Sequence, residues 1–299
     1  MFSKSSLLHL RIPFSYFLLP VFVFAVSQSP NLSEGGLMWI FIIMHFLVYP
    51  ASNAFNSYFD KDEGSIGGLK NPPPVESGLY YLATLLDVLA LALSVVFVNW
   101  KFAVLALVYI GISRAYSHPI IRIKKYTFGS WVLIGFFQGM LVYWAVYMGL
   151  NDFPLTFIFK PNVLYPAFLS SLVLYGAYPM TQIYQHEEDG KRGEITMSAK
   201  LGIRGTFYFT GAFFGLAMTL FYFYFDQKYN SSYNLIFLIA MTPILLYFIW
   251  WYWRVTNSIV NANYTNSKRL NFVSATFLGG FFLYVFLNST NILSVAGQY

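Results

Sequence analysis

The sequence predicts an all-α polytopic membrane protein, a bundle of about nine transmembrane helices forming a single domain over residues 1–299. Three observations carry that reading. Long apolar runs recur along the whole chain, charge is scarce, and the basic residues fall on one side of the expected spans. Only 10% of residues are charged and 57% are hydrophobic, against about 25% charge in ordinary soluble domains. A soluble fold of this length lacks the charges to coat its surface. The net charge of +6 sits in short loops between apolar runs and forms no continuous basic face, which argues against nucleic acid as a partner. The absence of Cys excludes disulfides, thiolate metal sites and Cys nucleophiles.

A spanning helix needs about 20 mainly apolar residues. That template places spans near 12–27, 36–59, 79–98, 100–117, 128–149, 162–184, 205–225, 233–253 and 271–291. The start, with Lys4 ahead of an apolar run, imitates a signal peptide, but the later spans make a retained first helix the better reading. Only Asn99 to Lys101 separate the third and fourth spans, so these two should form a tight hairpin. With this threading Lys and Arg divide fifteen to three between the two sides. The positive-inside rule then puts the N-terminus and the charged loops in the cytoplasm, with the chain in the cell inner membrane.

Acidic residues contribute little to topology, yet they cluster beside the basic ones. Asn53, Asn56 and Asp60, at the end of span two, fall at i, i+3 and i+7 and share one helical face. Gln185 and Asp189, after span six, are four apart, with Lys191 and Arg192 just beyond. Solvated helix ends often carry charges; here two such ends on one side each place an amide before the acids. Amides and carboxylates are hard oxygen donors suited to Mg²⁺, which binds one or two carboxylates together with waters and substrate phosphates. Two facing clusters would hold metal bridging a diphosphate, with neighbouring Lys and Arg offsetting the remaining charge.

Other signals are weaker. Gly64-Ser-Ile-Gly67-Gly68-Leu-Lys70 lacks the Gly-Lys-Ser/Thr of a phosphate loop. His9, His45, His118 and His186 show no metal-ligand spacing, and His45 reads as a packing residue. Asp87, within span three, should face the bundle interior. Asn71-Pro72-Pro73-Pro74 ends any helix and stiffens the loop after the first cluster.

These residues resemble the UbiA-type intramembrane prenyltransferases, which carry an Asn-Asp-x-x-Asp-x-x-x-Asp motif after the second span and a second Asp-rich motif after the sixth. Asn56-Ser-Tyr-Phe-Asp60 is similar to the first, and Lys70 to Gly78 resembles its Pro-rich continuation. Tyr184 to Thr196 is similar to the second motif with its Gly and Thr tail. Arg114-Ala-Tyr116-Ser117, with Lys124 and Lys125 downstream, resembles the family's Tyr-Ser and basic segment, and Arg11-Ile-Pro13 its opening. Three positions depart from the pattern: Ser57 and Gly64 replace acids of the first motif, and Gln185 replaces the leading acid of the second. Fewer carboxylates imply weaker or altered metal binding.

The resemblance implies a transferase that moves an isoprenyl group from a polyprenyl diphosphate to a hydrophobic acceptor in the bilayer, aromatic or quinone-precursor. Non-aromatic lipids, tetrapyrroles and carotenoids remain alternative acceptors, and an ion-coupled transporter is the reading from another class. On the resemblance, Asp60 and Asp189 are catalytic, and Mg²⁺ lies among Asn56, Asp60, Glu63, Gln185 and Asp189. Asn56, Arg114, Tyr116, Lys124, Lys125 and Lys191 face the diphosphate. The proton of an aromatic acceptor goes to Asp60, Glu187 or water; the sequence does not choose among them.

Overall fold

The computed structural model describes residues 3–289. Ten helices follow in chain order: α1 (Lys4–Gln28), α2 (Glu34–Asp60), α3 (Gly78–Phe97), α4 (Trp100–Ser117), α5 (Thr127–Leu150), α6 (Pro161–Gln182), the short α7 (His186–Lys191), α8 (Met197–Lys228), α9 (Ser231–Asn257) and α10 (Tyr264–Ser289). Among the described residues eight of these are long and apolar enough to cross a membrane. The ninth bundle helix is α4, whose 18 residues include Lys101 and Arg114. Nine long helices therefore stand where nine were expected. The last two residues of the ninth expected span lie outside the described residues.

Three helices start early, α1 at Lys4 rather than 12 and two others. α8 begins at Met197, well before the expected residue 205, and kinks at Gly202, whose φ of 70° suits glycine. α10 begins at Tyr264 rather than 271. Both added turns carry charges (Lys200 and Arg204; Lys268 and Arg269), so they lie beyond the apolar runs that define a span.

Burial sorts the helices. The apolar windows of α5 and α1 are 67% and 61% buried, against 22% for α9. α1 and α5 are thus central pillars, while α9 offers Leu246, Ile249 and Trp253 to lipid. Around the pillars an aromatic core packs Phe24 against Phe282, with ring centroids 4.4 Å apart, and against Tyr143 and Phe221. α5 meets α6 closely at Gly139, where a Cβ would lie 2.5 Å from the Ser171 Cα. Small residues permit such helix contacts in lipid.

Several polar groups inside the bundle tie helices together. Asn99 caps α4 by accepting from the Phe102 N–H (2.9 Å), and its amide donates to the carbonyls of Met148 and Gly149. That fixes the expected α3–α4 hairpin onto α5. Lys101 is buried and donates to Asp152 (3.0 Å) and to the Asn151 and Phe153 carbonyls. Asp87 does face the interior, where Arg114 grips it through two guanidinium nitrogens while lying 3.8 Å from the Phe55 ring centre.

Removing one partner of a buried pair strands the other charge at a cost of about 3–5 kcal/mol. Asp87→Ala should therefore lower the thermal midpoint of the detergent-solubilised protein sharply. The double change Asp87→Leu with Arg114→Met should recover most of the loss, because no lone charge is left.

Candidate active site

α2 ends at Asp60 because Lys61 takes the left-handed conformation (φ 50°) and closes the helix with its N–H on the Ser57 carbonyl. The last turns present the expected polar face. The Asn56 amide donates to Asp60 (2.7 Å) and to Ser117 of α4 (3.2 Å). Asn53 donates to the Leu10 carbonyl, and its own carbonyl accepts from Arg11 at 2.9 Å. Arg11, itself left-handed at φ 48°, also donates to the Gly67 carbonyl at 3.0 Å, tying α1 to the loop after α2.

The second cluster lies on α7 and the turn after it. Gly193 (φ 70°) reverses the chain, and the Glu194 N–H returns to the Asp189 carbonyl at 3.0 Å. One ion-pair network then joins three loops. Lys124 bridges Asp60 and Glu194, the latter at 3.5 Å. Arg122 holds Glu194 at 2.6 Å. Arg192 contacts Asp62, Asp189 at 3.0 Å and Glu194 at 3.9 Å.

Beneath this roof is a polar cavity of about 240 Å³. Its walls carry four acids (Asp60, Asp62, Asp189, Glu194), three cations (Arg11, Lys124, Arg192), and Asn56, Tyr116, Tyr178 and Gln185. The Tyr116 and Tyr178 hydroxyls bond each other at 2.6 Å, and the Gln185 amide donates to the Ser65 carbonyl at 3.2 Å. Deeper in the bundle is an apolar cavity of about 350 Å³, walled by Phe24, Met180, Phe214, Phe221, Phe248 and Phe282 among others. Phe17, Leu174, Ala177 and Asn271 line both chambers.

Of the residues expected from sequence, Asn56, Asp60, Tyr116, Lys124, Gln185 and Asp189 meet at the polar cavity. Four others stand elsewhere. Arg114 is turned to Asp87, and Lys125 lies over the Tyr126 ring at 4.9 Å. Glu63 is exposed, its backbone N–H on Glu188 (3.3 Å), and Lys191 pairs with exposed Glu187 at 3.2 Å. The cavity adds Arg11, Asp62, Tyr178, Arg192 and Glu194. Glu63 matched Asp60 only on an unbroken helix; the left-handed Lys61 breaks that period and turns Asp62 inward instead. Glu188 reaches over Gly64, where a Cβ would lie 3.1 Å from its carboxylate.

Among the described residues no three acids or histidines sit close enough to hold a metal ion on their own. The donor set nevertheless fits a cation shared with phosphate oxygens. The second carboxylate oxygen of Asp189 is buried and has no hydrogen-bond partner. Burial pushes this carboxyl up from 3.8 to about 6, against the pull of Arg192. The Arg192 guanidinium, although burial disfavours its charge, is held above its ordinary range by Asp62.

The sequence profile of the UbiA prenyltransferase family matches residues 17–273. The chain belongs to this family. It is accordingly an integral membrane prenyltransferase. The fold is similar to a UbiA homolog from Archaeoglobus fulgidus bound to GPP and Mg²⁺, at 17% identity and a TM-score of 0.67, covering 95% of this chain and 99% of that one. An apo UbiA homolog from Aeropyrum pernix K1 matches at 17% identity and 0.67, covering 91% and 98%. A digeranylgeranylglyceryl phosphate synthase structure matches at 20% and 0.61, covering 95% and 98%. At these identities the likeness is one of fold. No curated protein matches the sequence.

A carboxyl raised on folding costs the folded state stability above its folded value of about 6, and the cost fades toward 3.8 as the group protonates. In ligand-free protein, the thermal midpoint of Asp189→Asn minus that of wild type should shrink as pH falls from about 7 to about 5. A difference that does not vary with pH would contradict the raised value.

Proposed function

We propose that this UbiA-family protein transfers an isoprenyl group from a polyprenyl diphosphate to an aromatic or quinone-precursor acceptor, with Mg²⁺. The observation that carries the reading is a charged chamber set directly against an aromatic one, with Phe17, Leu174, Ala177 and Asn271 lining both. A donor with a diphosphate head and a hydrocarbon tail needs both environments, one beyond the other. The relatives from Archaeoglobus fulgidus bound to GPP or DMAPP with Mg²⁺ support the same donor class.

In this proposal Asn56, Asp60, Asp62, Gln185 and Asp189 form the metal side, with the unpartnered Asp189 oxygen as one donor. Bound there, Mg²⁺ would neutralise the diphosphate and ease its departure. Lys124 and Arg192 line the same chamber and would turn from carboxylates to phosphate oxygens. Arg192 thus takes the part expected of Lys191, and Arg11 extends the cationic wall. Such preset charges stabilise a leaving group without reorganisation. The allylic carbon–oxygen bond breaks, pyrophosphate leaves, and the acceptor's electron pair forms the new bond before its proton is lost. Tyr116, Tyr178 and the Phe walls keep water out and offer ring faces to the cation, each worth about 0.5–2 kcal/mol. The excess of Lys and Arg on the charged loops supports a cytoplasmic position for them.

Washed membranes given an isoprenyl diphosphate and an aromatic acceptor should release pyrophosphate only with Mg²⁺. Asp60→Ala and Asp189→Ala should each lose roughly 10²–10³-fold in rate, the scale of a lost electrostatic stabiliser. Full activity in both variants would remove these residues from the mechanism. Prenylation of a lipid, tetrapyrrole or carotenoid alone would reassign the acceptor.

A further inference from the structure

At the charged end of the bundle, outside the wall of the active site, lies a hollow of about 590 Å³. Lys70 from the loop after α2 and Lys268 and Arg269 from α10 line it, with Tyr247, Tyr264 and Phe272. None of its lining residues is acidic. Among the described residues none of the three cations has an ion-pair partner, whereas Lys124 and Arg192 in the active site each meet an acid. Three like charges in one hollow repel, and a shared anion relieves that repulsion.

The wall between hollow and active site is thin. Gly67, Tyr184 and Asn271 line the cavity; Gly68, Tyr264 and Phe272 line the hollow. The Tyr184 and Tyr264 rings meet edge-on at 5.3 Å across it. An anion in the hollow therefore sits on the far side of a side-chain wall from the reacting groups, which argues against the acceptor as its occupant. Along α10 the hollow continues onto an apolar face, where Phe272 is 57% exposed and Leu283, three turns on, is 46% exposed. A ligand fitting both parts has an anionic head and hydrocarbon chains.

We infer that this hollow binds the headgroup of an anionic phospholipid, with phosphate oxygens on Lys70, Lys268 and Arg269 and an acyl chain along Phe272. Basic pockets between spanning helices hold such headgroups elsewhere. The bound lipid would brace the Gly68–Lys70 segment. Arg11 holds the adjoining Gly67 carbonyl at 3.0 Å, and Ile66 and Gly67 line the polar cavity. Anionic lipid thereby steadies one side of the active site without touching substrate.

The test is native mass spectrometry of the full chain titrated with phosphatidylglycerol or phosphatidylcholine. Wild type should prefer phosphatidylglycerol. K268Q/R269Q should weaken that binding about 25-fold, at about fivefold per cation, and leave phosphatidylcholine unchanged. The charge-keeping K268R/R269K variant should bind as wild type does, which separates lost charge from misfolding. Unaltered phosphatidylglycerol binding in K268Q/R269Q overturns the proposal, as does equal competition by inorganic phosphate. A second readout rests on the prenyltransfer reading. In nanodiscs, adding about one-fifth phosphatidylglycerol to phosphatidylcholine should speed wild type but not K268Q/R269Q. Equal stimulation of both overturns the coupling. A chain inactive in every lipid overturns the functional reading instead, and the titration still decides lipid binding.

Discussion

The active end of this protein depends on one ion-pair network. Asp60, Lys124, Glu194, Arg192, Asp62 and Asp189 come from three separate segments and, among the described residues, form ion pairs only with one another and with Arg122. A charge drawn from water into a low-dielectric setting costs several kcal/mol unless it is partnered. In so apolar a chain few partners exist, so these groups must find each other. Their pairing sets where the loops after α2, α4 and α6 lie, and hence the shape of the chamber below. The aromatic bundle packs by contact alone; the roof does not.

The same network explains why an inward array of charges is tolerated at all. Each carboxylate that would meet a metal already meets Lys or Arg, and Lys124 and Arg192, which would meet phosphate, already meet carboxylates. A metal–diphosphate pair would exchange partners with this array while adding less net charge than either ion alone. A diphosphate alone would have to approach four acids, and a metal alone three cations. At Asp189, with one oxygen on Arg192 and the other unpartnered, such an exchange would cost the fewest existing bonds.

Much of this was legible in the sequence, for identifiable reasons. Hydrocarbon thickness fixes span length, so the nine long helices follow from apolar runs. Asn56 and Asp60 were found because helical spacing holds up to Asp60. One residue later it fails: the left-handed Lys61 substitutes Asp62 for Glu63 at the cavity, and no local signal marks that conformation in a lysine. Lys191 and Arg192 are adjacent, yet only Arg192 turns inward, because Asp62 and Asp189 await it there. Arg114 resembled a diphosphate ligand by position, but the buried carboxylate of Asp87 holds it. The early starts of α8 and α10 were hidden because charged turns at the membrane edge are helical without being apolar.

The most direct test of the partner-exchange account is calorimetric binding of a non-hydrolysable isoprenyl diphosphate, with and without Mg²⁺. The account predicts strong coupling in wild type, each ligand tightening the other by about tenfold or more, which is about 1.4 kcal/mol. That coupling should vanish in Asp60→Asn/Asp189→Asn. Diphosphate binding of equal strength with and without Mg²⁺ in wild type would contradict it.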